Sequence, residues 1–140
     1  MSETTTDVKT LVGDFFATMG RGEWDRLRRD FLSDGSSWTM MAPSLGAGGP
    51  QMDSGDAIVG FFSAGGEIFE NGGPEVTINR ILVDGDHAAV EAVGNGKLHN
   101  GKTYENVYHF AVDTKDGRIL AVREYMDSHH VAVVMGPPPA

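Results

Sequence analysis

The sequence predicts an α+β domain in which helices pack into a curved antiparallel sheet and enclose a small-molecule pocket. Three observations lead there. Apolar residues recur at helical spacing through the first part of the chain, the period changes to two after Pro74, and hairpin signals then separate the long strand-like runs that follow. Helices followed by hairpin-joined strands are the pattern of α+β architecture.

The first helix rests on Val8, Leu11, Val12, Phe15 and Met19, with Thr4 to Thr6 offering N-cap hydroxyls and Gly20-Arg21-Gly22 ending it. A shorter helix follows, with Trp24, Leu27 and Phe31 on one face and Arg26, Arg28 and Arg29 on the solvated side. Asp34-Gly35 is expected to turn the chain into a short strand around Trp38 to Met41. From Ala42 to Asp53 there are five glycines or prolines and no periodicity, which reads as a mobile loop or lid. Ser54 can cap a third helix with Ile58, Phe61 and Phe62 on its buried face, ending near Gly65-Gly66.

Beyond Pro74, the alternation of Val76, Ile78, Ile81 and Val83 leads to the hairpin signal Asp84-Gly85. A strand from His87 to Gly94 turns through Asn95 to Gly101 into a third, Lys102 to Val112. Asp113 to Gly117 closes the next hairpin, and the last strand is Ile119 to Asp127. Residues 1–135 are expected to be one domain, and the tail from residue 136, with Pro137 to Pro139, to be disordered.

Composition narrows the function. The 140 residues carry a net charge of −9 and the basic residues are scattered, which argues against nucleic acid and anionic membrane as partners. The chain has no cysteine, so disulfides, thiol catalysis and zinc sites of the cysteine type are excluded. The N-terminus is polar and acidic, unlike a signal peptide, and no apolar run approaches the roughly 20 residues of a membrane span. A cytoplasmic location is the expectation.

Strand alternation groups the residues that can do chemistry. One face of the third long strand shows Tyr104, Asn106, Tyr108 and Phe110, a mixture of aromatic and polar groups suited to holding a small organic ligand. On the last strand Arg123, Tyr125 and Asp127 share one side with Ile119 and Ala121, while Leu120, Val122, Glu124 and Met126 take the other. Glu91 stands mid-strand between alanines and valines, where a carboxylate is paired, functional or facing solvent.

The stretch Gly101-Lys-Thr-Tyr-Glu-Asn-Val-Tyr-His-Phe, with Asp116-Gly-Arg-Ile and Arg123-Glu-Tyr-Met-Asp127, resembles the SnoaL-like branch of the nuclear transport factor two-like superfamily, and so does the order of elements. The resemblance implies a cone-shaped α+β barrel: a strongly curved, mixed but mostly antiparallel sheet around a long N-terminal helix, with an apolar pocket at the open end. It also implies chemistry without a metal or organic cofactor, and a homodimer formed through the outer sheet face. Relatives include ketosteroid isomerases, limonene epoxide hydrolases and polyketide cyclases, so the scaffold does not fix the reaction. The isomerases' catalytic aspartate precedes the proline after the first strand, where this chain has Met40-Met41-Ala42-Pro43. Their oxyanion tyrosine falls near Phe15 and their oxyanion aspartate near Tyr108. Of the epoxide hydrolases' Asp-Arg-Asp set, Asp127 matches the last member and Glu91 lies near the first. Ala89 replaces the arginine, and the water-holding tyrosine and asparagine fall near Thr39 and Met41.

The resulting candidates are Asp127 and Glu91 as general acid or base, their affinity for protons raised in an apolar cone, with Tyr108 and Asn106 holding a substrate oxygen. Trp38, Met40, Tyr104, Phe110, Arg123 and Tyr125 would grip the substrate. Each has a plainer alternative: an N-cap for Asp127, a solvent-facing position for Glu91, a structural hydrogen bond for Tyr108 and Asn106, an ion pair for Arg123. His109 has the parity of the outer face, His99 lies in a turn, and His87 sits beside one. His129 and His130 are adjacent and poorly placed to share a metal. Gly46 to Pro50 lacks the lysine and hydroxyl of a phosphate loop. Three functions fit these residues: a cofactor-free lyase or isomerase acting by general acid–base catalysis on a hydrophobic cyclic or aromatic molecule, an epoxide hydrolase in which Asp127 and Glu91 activate water, and a non-catalytic binding module.

Overall fold

A computed structural model describes the backbone of residues 2–43 and 51–136, with side chains from Asp7 onward within those ranges. The elements run α1 (Ser2–Gly20), α2 (Trp24–Arg26) continuing into a wider turn over Leu27–Phe31, and β1 (Leu32–Met40). Then come β2 (Gln51–Met52), α3 (Gly55–Gly65) with a tight turn over Gly66–Ile68, β3 (Glu75–Asp84), β4 (His87–Lys97), β5 (Thr103–Lys115), β6 (Arg118–Met126) and α4 (Ser128–Met135). The strands form one sheet in the order β2-β1-β6-β5-β4-β3, antiparallel throughout except for the parallel pair β1 and β6. The sheet curls round the helices without closing, which is the expected cone.

The core forms where α1 lies in the concave face. Val12 and Phe15 are fully buried beside Leu27, Phe31 and Ile58 of the other helical segments and Val90, Phe110 and Val122 of the sheet. Phe15 and Phe16 meet edge to face at 5.1 Å, and Phe16 reaches on to Phe110 at 4.6 Å. These side chains hold the helix in the sheet by apolar burial. No helix among the described residues is long and apolar enough to cross a membrane.

Several local expectations change. α1 begins at Ser2, so Thr4 to Thr6 lie within the helix rather than ahead of it. Asp34-Gly35 does not precede a strand; it is an exposed irregularity inside β1, where the register with β6 shifts between Leu32 and Ser37. The buried Ser36 hydroxyl anchors that segment by donating to the Ile119 carbonyl at 2.6 Å. Arg28 is not simply solvated: it bridges Asp56 at 2.8 Å and Asp34, tying the second helical segment to α3 and β1. Ser54 caps α3 as expected, its hydroxyl accepting from the Ala57 N–H at 3.0 Å. Within the expected loop, Gln51 and Met52 pair with β1; its residues 44–50 lie outside the described residues, as does the tail from Pro137.

Two features set which side chains face the cone. Asp116 and Gly117 both adopt positive φ, +52° and +77°, giving the tight β5–β6 turn a twist that suits a hairpin. Immediately after it, β6 carries a bulge: Thr114 pairs with Ile119 while Asp113 pairs with Ala121, leaving Leu120 as the extra residue. Ile119 therefore faces inward, and beyond the bulge so do Val122 and Glu124.

Asp127 ends β6 and caps α4, its Oδ1 accepting the His130 N–H at 3.1 Å. Asp127→Ala should therefore lower stability by about 1 kcal/mol, whereas Asp127→Asn, which can still cap, should stay within a few tenths. Urea unfolding of the two variants checks this.

Candidate functional site

Between the helices and the open end of the sheet lies a cavity of about 620 Å³. Its walls come from the end of α1 (Phe16, Met19), from α3 (Phe61, Phe62), from the inner faces of β1, β5 and β6, and from α4 (Val131, Met135). Among the described lining residues only Arg21 and Glu124 carry charge. Arg21 is exposed, with its Nε 2.5 Å from the Glu23 carboxylate. Glu124 is only 6% exposed.

Glu124 sits opposite Phe110 on β5 and Met40 on β1. Its Oε1 accepts the indole N–H of Trp38, itself 1% exposed, at 3.0 Å. Oε2 has no hydrogen-bond partner among the described residues. Every fully enclosed polar side-chain atom described does have one, so Oε2 borders open cavity. No ion pair reaches this carboxylate among the described residues. Burial pushes its pKa up to about 7, with the Trp38 hydrogen bond opposing the rise. It is a carboxyl group that gains and loses its proton near neutrality.

Beside it, the Tyr104 and Tyr108 hydroxyls are hydrogen-bonded to each other. Burial raises both above the ordinary tyrosine value, so both stay protonated across the neutral range. Tyr108 stacks on Phe110 at 5.2 Å and lies over Gly94, where a Cβ would come within 2.7 Å of its ring. Glycine at that position is what leaves room for the phenol. Asn106 is buried behind the pair and does not line the cavity. Its Nδ2 donates to the Tyr104 oxygen at 3.0 Å and to the Asp127 carbonyl at 3.4 Å, while its Oδ1 accepts the Val107 and Asp127 N–H groups at 2.8 and 2.9 Å.

Of the candidate residues, the structure brings Trp38, Met40, Tyr104, Tyr108 and Phe110 to the cavity wall and sets Asn106 one step behind. Glu91, Arg123, Tyr125 and Asp127 are not there. Glu91 is exposed on the outer face between Arg80 and His109, because Val90 and Ala92 take the inner positions of β4. Arg123 is also outside, bonded to Asp113 at 2.9 Å, and Asp113 in turn contacts His87 at 2.5 Å. Tyr125 is exposed on that face beside His109. Asp127 spends its carboxylate on the helix cap. The inner carboxylate is Glu124, whose signal was available: it alternates with Val122 and Met126, the same oddity that drew attention to Glu91. Among the described residues no three His, Asp or Glu side chains are grouped to hold a metal.

A cone-shaped α+β domain with one titratable carboxylate in an apolar, aromatic cavity is the class this geometry defines. The SnoaL-like domain family matches residues 12–122, and the chain belongs to that family. Solved structures repeat the fold over nearly the whole chain. A candidate SnoaL-like polyketide cyclase from Jannaschia sp. is 19% identical, covering 99% of this chain and 98% of its own, with a TM-score of 0.82. A nuclear transport factor two-like protein from Burkholderia thailandensis is 23% identical over 93% of this chain and 98% of its own, TM-score 0.78. A limonene-epoxide-hydrolase-like enzyme of Mycobacterium tuberculosis is 20% identical over 94% and 97%, TM-score 0.72. No curated protein sequence matches.

The buried carboxyl makes stability depend on pH. In the unfolded chain it loses its proton around 4.5 and in the folded chain around 7, so the folded state holds the proton more tightly. Its stabilising contribution is complete below about pH 4.5 and is lost as pH rises through 7, about 3 kcal/mol in all. Urea unfolding between pH 5 and 8 should show that decline in the wild type, and Glu124→Gln should remove it.

Proposed function

We propose that the protein is a cofactor-independent lyase or isomerase that uses general acid–base catalysis on a small, neutral, hydrophobic cyclic or aromatic molecule. The observation carrying this reading is Glu124: a single carboxyl, poised near neutrality, with one oxygen fixed by Trp38 and the other open to the cavity. Such a group takes a proton from carbon next to a carbonyl and returns it elsewhere, because its proton affinity is matched to the working pH. The C–H electron pair moves into the carbonyl, and negative charge grows on the oxygen.

The tyrosine pair supplies what that oxygen needs. Asn106 donates to the Tyr104 oxygen, and either hydroxyl can donate in the Tyr104–Tyr108 hydrogen bond. With substrate bound, this reading takes Tyr104 as the donor, which frees the Tyr108 proton for the substrate and lets each donor polarise the next. Reprotonation at a second carbon gives isomerisation; loss of a β-substituent gives elimination. Both need only a base, an oxyanion donor and a dry cavity. Water addition to an epoxide by Asp127 and Glu91 has less support, since the first caps α4 and the second faces outward. The outer sheet face, with Leu82, Val107 and Tyr125 exposed, supports homodimerisation, which light scattering checks.

Solvent-deuterium exchange at the α-carbon of a panel of mono- and bicyclic ketones, followed by NMR, tests the reading. Exchange should rise with pH about a midpoint near 7 as Glu124 ionises. Glu124→Gln should slow it by about 10² to 10⁴-fold, and Tyr108→Phe by about 10²-fold. Exchange no faster than in buffer, or undiminished in Glu124→Gln, would overturn it.

A further inference from the structure

We infer that the same cavity binds small organic ammonium ions with an apolar, ring-sized body, seated against the open oxygen of Glu124. The inference rests on the cavity being a ligand site, as in the reading above, but not on its catalysing a reaction. Its starting point is an imbalance. A carboxylate only 6% exposed, with no cation paired to it among the described residues, is costly once ionised, because little water reaches it and no ion pair offsets its charge. A neutral ligand displaces water from the cavity and leaves that imbalance in place. A cation removes it.

The surroundings of Glu124 suit such a cation. Trp38 lies 4.6 Å from Phe62 and 5.8 Å from Phe110, centroid to centroid, and Phe110 continues to Phe16 and Tyr108 at 4.6 and 5.2 Å. Electron-rich ring faces attract alkylammonium groups, most strongly where water is excluded. The other charged lining residue, Arg21, is engaged by Glu23 and would repel a cation only from an exposed position. The chain's net charge of −9 favours approach of cations over anions. Proton and ammonium then compete for one carboxylate, so affinity for the cation follows ionisation of Glu124. Organic ammonium ions should accordingly be competitive inhibitors of any reaction that uses Glu124 as base.

Benzyltrimethylammonium is a suitable probe, because its charge does not change with pH, and neopentylbenzene is its neutral isostere. Calorimetric titration should show the cation binding about tenfold more tightly at pH 8 than at pH 6, given a midpoint near 7. The isostere should show no such gain, which controls for pH effects elsewhere in the protein. The N-methyl proton signal of the bound cation should move upfield under the aromatic rings. In Glu124→Gln the pH dependence should vanish and the preference for the cation should be lost. Equal affinity for both probes at pH 8, or a preference that persists in folded Glu124→Gln, would overturn the inference. The wild-type pH comparison decides the matter even if the variant does not fold. Should ketone exchange depend on Glu124 while the cation fails to bind, this inference falls and the catalytic reading stands; binding without exchange gives the reverse.

Discussion

The seating of α1 in the concave face of the sheet is the constraint on which the rest of the molecule depends. Val12 and Phe15 are buried there in one core with residues of β1, β4, β5 and β6, so the curl of the sheet and the position of the helix fix each other. The helix fills only part of the cone. Past Phe16 and Met19 the filling stops, and the space left between the end of α1, α3 and α4 is the cavity. Fold and site are thus two consequences of one packing arrangement, the site being the part of the core that side chains do not occupy.

That arrangement also explains the electrostatics. The same enclosure that makes the cavity apolar strips water from Glu124 and raises its proton affinity, while Trp38 supplies one fixed hydrogen bond and thereby an orientation. Tyr108 is held from three sides, by Phe110, Tyr104 and the gap at Gly94. Asn106 completes the group by pinning Tyr104 to the backbone of β5 and of the β6–α4 junction. Apart from Glu124 Oε2, which is left open to the cavity, the polar groups of this set are held by neighbours that are themselves fixed, which is how a site becomes preorganised.

Much of the fold was legible because its signals are local. Helical spacing in Val8 to Met19, the cap at Ser54, alternation from Val76 to Val83, and Asp84-Gly85 all act within a few residues. The aromatic wall was legible for the same reason: Tyr104, Tyr108 and Phe110 share a face of one uninterrupted strand. Glu124 was not chosen because the parity of β6 is set by an extra residue at Leu120, and a bulge of one residue exchanges the two faces. Reading the strand from Ile119 without the bulge carries Arg123, Tyr125 and Asp127 inward, where none of them is.

The sequence by itself determined the order and type of the main elements, from the N-terminal helix to the last long strand, but not β2 or α4. It also determined the apolar character of the enclosed space and the family to which the chain belongs. Periodicity, turn residues and composition are properties of neighbours along the chain, so they survive without coordinates. Only the tertiary structure decided which carboxylate is buried. Glu91, Glu124 and Asp127 are chemically alike, and what separates them is the side of the sheet they face and whether a backbone N–H claims their oxygens. Those are matters of strand pairing and of the helix that follows Asp127, and pairing is settled between residues distant in sequence.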